Sequence, residues 1–181
     1  MRREHLEHLL RAAGNILREG EIIVVGSQSI LGTYDEDALP RYAVMSTEAD
    51  LLPMDDVDQA KADAIDGVLG EGSLFHETHG FYAQGVDETT STLPEGWRDR
   101  LVRYSNVNTN GVVGLCLDPH DLCTAKLVAN RPKDRDFLRA LLDASMIQAE
   151  LLTNRLAATP CPPERRALAE AFLRSYEVRS A

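Results

Sequence analysis

The run Glu21-Ile22-Ile23-Val24-Val25 constrains this chain more than any other stretch. Four consecutive branched aliphatic residues without polar alternation predict a strand buried on both faces, and such a strand needs a sheet with helices packed against it. The run closes on Gly26-Ser27, and Ser27 to Tyr34 (SQSILGTY) reads as a short helix opening directly off it. Ahead of the strand, Leu6, Leu9, Leu10, Ala13, Ile16 and Leu17 recur at helical spacing, and Gly20 is the expected stop. Behind it, after a loop with Pro40, Tyr42 to Leu52 reads as a second strand closed by Pro53. Val57 to Leu69 reads as a helix with Val57, Ala60, Ala64, Ile65 and Val68 on one side. Strands are expected over 80–86, 101–106 and 112–117.

From Pro119 the texture is helical only, over roughly 119–130, 133–146, 147–158 and 163–178, with breaks at Pro132 and at Thr159-Pro160-Cys161-Pro162-Pro163. No internal repeat is present. The fold class is therefore α+β: a small mixed sheet in residues 1–118 and an all-helical region, 119–181, packed on that core. Sixty helical residues alone bury too little surface to stand as a comfortable independent unit.

With 19 Lys and Arg against 29 Asp and Glu, the chain carries a formal charge of −10. That sign disfavours general binding to nucleic acid, which depends on clustered cations neutralising phosphates. Two basic stretches, Arg98-Arg100-Arg103 and Arg131-Lys133-Arg135-Arg139, are interrupted by acids and read most simply as solvated faces. No apolar run approaches the roughly eighteen residues of a membrane span, and the first twenty residues alternate charge with leucine, so a cytoplasmic protein without membrane attachment is expected. Cys116, Cys123 and Cys161 form no paired motif and read as buried thiols.

Three places could carry chemistry. Gly26-Ser27, between a buried strand and a helix start, offers free backbone N–H groups and a positive dipole end to an anion such as phosphate; the plain alternative is a tight turn with a cap. Glu48 and Asp50 project from one face of a strand, where their repulsion makes sense with a cation between them, Mg²⁺ suiting such hard oxygen ligands; the alternative is a polar strand face. Lys126 lies within a helix that is apolar nearly all round, so it either snorkels outward or has an anionic partner. His76-Glu77-Thr78-His79 fails as a zinc motif: its histidines are three apart, beside glycines and aromatics that suggest loop and strand. No nucleophile elbow, Walker loop or dinucleotide fingerprint occurs.

Taken in order, the buried strand with Gly26-Ser27, the strand with Glu48-x-Asp50, and Lys126 in KLVANRPKDRDF resemble the minimal nucleotidyltransferase-fold proteins related to the AbiEii and MenT toxins. The resemblance is strongest to a sister family of unknown function described as nucleotidyltransferase-like, and covers roughly residues 20–145. It implies a nucleotidyltransferase-like fold in which Gly26, Ser27, Lys126 and Arg131 bind a nucleoside triphosphate. Glu48 and Asp50 would bind Mg²⁺ or Mn²⁺, and Asp136, an acid following the lysine, would complete the catalytic set of Glu48, Asp50 and Lys126. The family's usual first acid is Asp, where this chain has Glu48. A third acid is common on the next strand, which here reads Phe81-Tyr82-Ala83-Gln84-Gly85 with Asp87 at its end.

The resemblance implies Mg²⁺-dependent transfer of a nucleoside monophosphate to an acceptor hydroxyl, on the 3′ end of a tRNA in the related toxins and here on RNA, protein or a small molecule, with an antitoxin as a partner. Two further readings stay open: a degenerate member that binds nucleotide or a partner without turnover, and an interaction protein whose terminal helices build a homodimer or an antitoxin-like contact.

Overall fold

A computed structural model describes residues 1–180. Five strands, β1 (Glu21–Val25), β2 (Glu48–Leu52), β3 (Tyr82–Gly85), β4 (Val102–Tyr104) and β5 (Val113–Cys116), form one mixed sheet in the order β3-β2-β1-β5-β4. The strand expected to be doubly buried lies at the centre. β1 runs parallel to β5 and antiparallel to β2, and Ile22 to Val25 are all buried. β3 is parallel to β2, and β4 closes the far edge antiparallel to β5.

Among the described residues there are seven α-helices: α1 (Arg3–Leu17), α2 (Ala60–Leu69), α3 (Leu74–His79), α4 (Pro119–Ala129), α5 (Pro132–Asp143), α6 (Ala149–Ala157) and α7 (Pro163–Ser180). The chain is thus α+β with its helices gathered at the C-terminal end, the architecture of a nucleotidyltransferase-like fold. α1 buries Leu6, Leu9, Leu10 and Ala13, and Leu10 reaches β5 at Gly114, where a Cβ would lie 2.8 Å from its Cδ1. α2 packs against α1 and β3, whereas α4 packs on α5, α6 and α7. Among the described residues, no helix is long and apolar enough to cross a membrane.

Three local expectations are corrected. The second strand begins at Glu48 rather than Tyr42: a 3-10 turn occupies Arg41–Val44, and the Ser46 hydroxyl accepts from the Glu48 N–H (3.1 Å), a local bond that competes with strand pairing. α2 starts at Ala60 because the Asp56 carboxylate takes the N–H groups of Lys61 (2.9 Å) and Ala62 (2.8 Å), leaving Val57 exposed. Its buried face is Ala62, Ile65 and Leu69, and Val68 is exposed. The His76 stretch is helical, not loop and strand: Ser73 caps α3 by accepting from the His76 N–H, and left-handed Gly80 ends it. The short helix expected directly after β1 is present, as a 3-10 helix over Ser27–Gly32. Cys116 and Cys123 are buried thiols as expected, and Cys161 is partly so.

α4 is fixed by its Asp121 carboxylate, which is fully buried. Arg100, just before β4, donates to both of its oxygens (2.8 and 3.1 Å), and Arg155 of α6 pairs with it from the other side at 3.1 Å. Removing one member of a buried ion cluster strands the others without compensation. Asp121→Ala is therefore expected to cost about 3 kcal/mol or more in a urea unfolding experiment. A change below about 0.5 kcal/mol would show that the two guanidiniums find water instead.

Candidate functional site

Residues from the turn after β1 and from β2, α4 and α5 meet at a cleft of about 910 Å³. On β2, alternation sends Ala49 and Leu51 into the core while Glu48 and Asp50 remain half-buried on the cleft side. Both acids thus share the face that their spacing implied. In the sheet register Val25 lies opposite Asp50, which places the carboxylate beside the turn that follows β1. Gly26 at that turn has φ 63° and ψ −169°, a conformation that is essentially glycine's alone. A Cβ there would fall 1.7 Å from Asp50 Oδ2. The glycine therefore serves two needs at once, the backbone angle and the space for a carboxylate.

Lys126 neither snorkels nor stands alone. It is 6% exposed, and its ammonium donates to Ser27 Oγ (2.8 Å) and Asp134 Oδ1 (3.2 Å) while lying 4.5 Å from the centre of the Phe137 ring. Asp134 is fully buried and also takes the Arg131 guanidinium, at 2.6 Å from Nε and 3.3 Å from Nη2. Two cations share one anion, so this corner keeps a net positive charge. Lys133 and Arg165 line the same cleft.

Titration follows from this packing. Burial pushes the Lys126 ammonium below the usual lysine range, against the opposing pull of Asp134. Burial also pushes the Asp134 carboxyl upward, but the Arg131 and Lys126 donors outweigh it and hold the group below the usual carboxylate range. Asp50 goes the other way: burial and then the neighbouring Glu48 charge push it up to about 6.

Glu48, Asp50, Gly26, Ser27, Lys126, Arg131 and Asp136 all line the cleft. Asp136 is nevertheless not the acid that meets the lysine; it pairs with Arg139 one turn on (3.2 Å). That place belongs to Asp134, which sequence reasoning missed. A signal for it exists: Pro132 sets the first turn of α5, and Asp134 two residues later reaches back to the Arg131 N–H (3.3 Å). An acid so placed points toward the preceding helix end rather than outward.

No third acid stands on β3. The residue in register with Asp50 is Gln84, and Asp87 accepts instead from Gln59 (2.9 Å) and Thr89 (2.7 Å). Among the described residues, no group of three or more His, Cys, Asp and Glu is placed to hold a metal. Two carboxylates on one strand face still fit Mg²⁺, which is commonly held by one or two carboxylates completed by water and substrate phosphates.

The remaining candidates are absorbed structurally. His79 packs in a ring cluster with His8, Phe75 and Phe81. Arg98, Arg100 and Arg103 pair with Glu88, Asp121 and Glu21 respectively, so that stretch is no free basic patch.

Over residues 4–177 the sequence matches the family model described as "Nucleotidyltransferase of unknown function (DUF6036)". The chain belongs to this family. Neither a curated protein nor a solved structure matches it. Membership in a nucleotidyltransferase family gives a general expectation of a nucleoside triphosphate substrate and agrees with the order of glycine, acid pair and lysine around the cleft.

Because the folded protein holds the Asp50 proton up to about pH 6, whereas an unfolded chain releases it near the ordinary value, ionisation destabilises the fold as pH rises from about 4 through 6. That gap corresponds to at most about 3 kcal/mol at neutral pH, and water at the cleft mouth reduces it. Asp50→Asn in metal-free protein should therefore unfold later than the parent at pH 7.5, with the difference vanishing near pH 4. Equal melting temperatures at both pH values would remove the claim of strain.

Proposed function

We propose that this protein is a Mg²⁺-dependent nucleotidyltransferase that moves a nucleoside monophosphate from a nucleoside triphosphate to an acceptor hydroxyl. The observation that carries the reading is the cleft's division by charge: Glu48 and Asp50 on one strand face, and Lys126, Arg131, Lys133 and Arg165 around the same space. A triphosphate needs both halves, cations for its oxygens and a metal bridge for its reacting phosphate.

In this reading, Lys126 meets the phosphates from a fixed position, because Ser27 and Asp134 hold its ammonium before substrate arrives. Ser27 Oγ already accepts from the lysine, so its own hydroxyl proton remains free to donate to a phosphate oxygen. Arg131 is aimed by the same Asp134 carboxylate. Glu48 and Asp50 would hold Mg²⁺ or Mn²⁺, which supplies charge neutralisation to the attacking and leaving oxygens. The acceptor oxygen would attack the α-phosphorus, forming one P–O bond as the bond to pyrophosphate breaks, with the acceptor's proton passing to solvent or a cleft carboxylate. The acceptor is taken as RNA, with a tRNA end as its leading instance, in line with the sequence's resemblance to AbiEii- and MenT-type toxins. An antitoxin partner, a cytoplasmic setting and a homodimer belong to the same reading, as does the division at residue 118 into core and helical region.

One observation favours a second reading. Gln84 stands opposite Asp50, where a third carboxylate could have taken the acceptor's proton, and general-base help is worth about a hundredfold to ten-thousandfold. A protein without it could bind nucleotide and turn over slowly or not at all.

Two experiments test these readings. Lys126→Met, which keeps the buried stem, should weaken nucleoside triphosphate binding at least tenfold by calorimetry; unchanged affinity would reduce Lys126 to a structural partner of Asp134. Protein incubated with each α-labelled nucleoside triphosphate, Mg²⁺ and cellular RNA or protein should transfer label to a macromolecule, and Asp50→Asn should abolish it. Tight binding without transfer for every base and acceptor would select the degenerate reading.

A further inference from the structure

Tyr42 and Met45 are each 60% exposed, although large apolar side chains in this fold are mostly buried. Both line the same cleft as Ser27, Lys126 and the acid pair, on and just after the 3-10 turn Arg41–Val44. That turn packs against α5, whose start carries Arg131 and Asp134, and against the 3-10 helix that begins at Ser27. An aromatic face and a thioether therefore border the phosphate-binding corner from an element that contacts both of its sides.

Beneath the turn, Gln28 is 1% exposed and also lines the cleft. Its Nε2 donates to Ala43 O (3.4 Å), which fixes the direction of its amide and leaves Oε1 with no hydrogen-bond partner. A buried acceptor left unmade is destabilising, so it calls for a donor. The edge of a nucleobase carries such N–H donors, and its faces match an exposed ring and a polarisable sulfur. The cleft volume of about 910 Å³ lies within the span of small-ligand pockets and exceeds what a triphosphate alone would fill.

We propose that Tyr42 and Met45 form the base subsite of this cleft, stacking on the nucleobase of the nucleoside triphosphate whose phosphates Ser27 and Lys126 receive. The inference rests on the nucleotidyltransferase reading and adds to it the residues that tell a nucleotide from bare polyphosphate. Gln28 holds the stacking turn in place through Ala43, and its unpartnered Oε1 is the acceptor this lining offers to a base-edge donor.

Isothermal titration with the four nucleoside triphosphates and, separately, inorganic tripolyphosphate, all with Mg²⁺, tests it. Tyr42→Ala should weaken nucleoside triphosphate binding by about tenfold, the effect of removing one stacking partner, and leave tripolyphosphate affinity within about twofold. Tyr42→Phe should keep the parent's affinity, and Met45→Ala should show a smaller loss of the same selectivity. Parent-like nucleotide binding by Tyr42→Ala would overturn the subsite, as would a parallel loss of tripolyphosphate, or a loss in Tyr42→Phe equal to that in Tyr42→Ala. A parent protein that binds tripolyphosphate but no nucleotide better would likewise overturn it. Parent protein that binds neither would instead bring down the nucleotidyltransferase reading, and the subsite with it.

Discussion

The Asp134 carboxylate ties the junction of α4 and α5 to the distant turn after β1. Through Lys126 it reaches Ser27 at the end of β1, and through Arg131 it fixes the entry to α5. A buried ion pair of this kind is weak evidence for stability, because desolvating the charges offsets much of their attraction. Its value here is positional: Lys126 is held where the turn after β1 opens, and two cations around one anion leave an excess positive charge at that point. An apolar replacement of the group could fold as well, but it would leave nothing for a phosphate to meet.

The opposite side of the cleft is arranged by a different constraint. Gly26 leaves β1 in a conformation that other residues rarely adopt, and the space where its side chain would stand is filled by the Asp50 carboxylate. Glycine takes that conformation without strain, so the turn admits the carboxylate at no steric cost to the backbone. In a chain of net charge −10, the separation of cations from the acid pair within one cleft is also selective: it attracts a polyanion only where the cations stand, and a divalent metal only where they do not.

Much of this arrangement was legible in the sequence. Glu21–Val25 announced the central strand because four branched aliphatics have only one comfortable environment, and the Glu48-x-Asp50 spacing placed two carboxylates on one face because strand periodicity is rigid. The fold class and the helical C-terminal third followed from texture alone. What was not legible depended on local hydrogen bonds that compete with propensity. The Asp56 carboxylate delayed α2 by three residues, and Ser46 shortened β2. The Asp134 for Asp136 exchange is of the same kind: both acids lie in one helical turn, and only the position of Pro132 decides which reaches back to the lysine. Tyr42 was misassigned with its segment, so its exposure in the cleft could not be anticipated.

Glu48, where the resemblance read from the sequence implies Asp, and Gln84 beside Asp50 bear on the same carboxylate. Glu48 carries its carboxylate one methylene farther from β2, and Gln84 presents an amide where a third acid would add negative charge. With a third carboxylate, an already raised Asp50 would be pushed higher still, and the cluster without metal would hold a proton at neutral pH. A longer first acid and a neutral neighbour relax that repulsion. If the pair holds a metal as proposed, a single cation and a substrate's phosphates would complete its coordination, so nucleotide and metal should each bind more tightly in the other's presence than alone. Affinity for Mg²⁺ would then be weak in the isolated protein and strong in the presence of triphosphate.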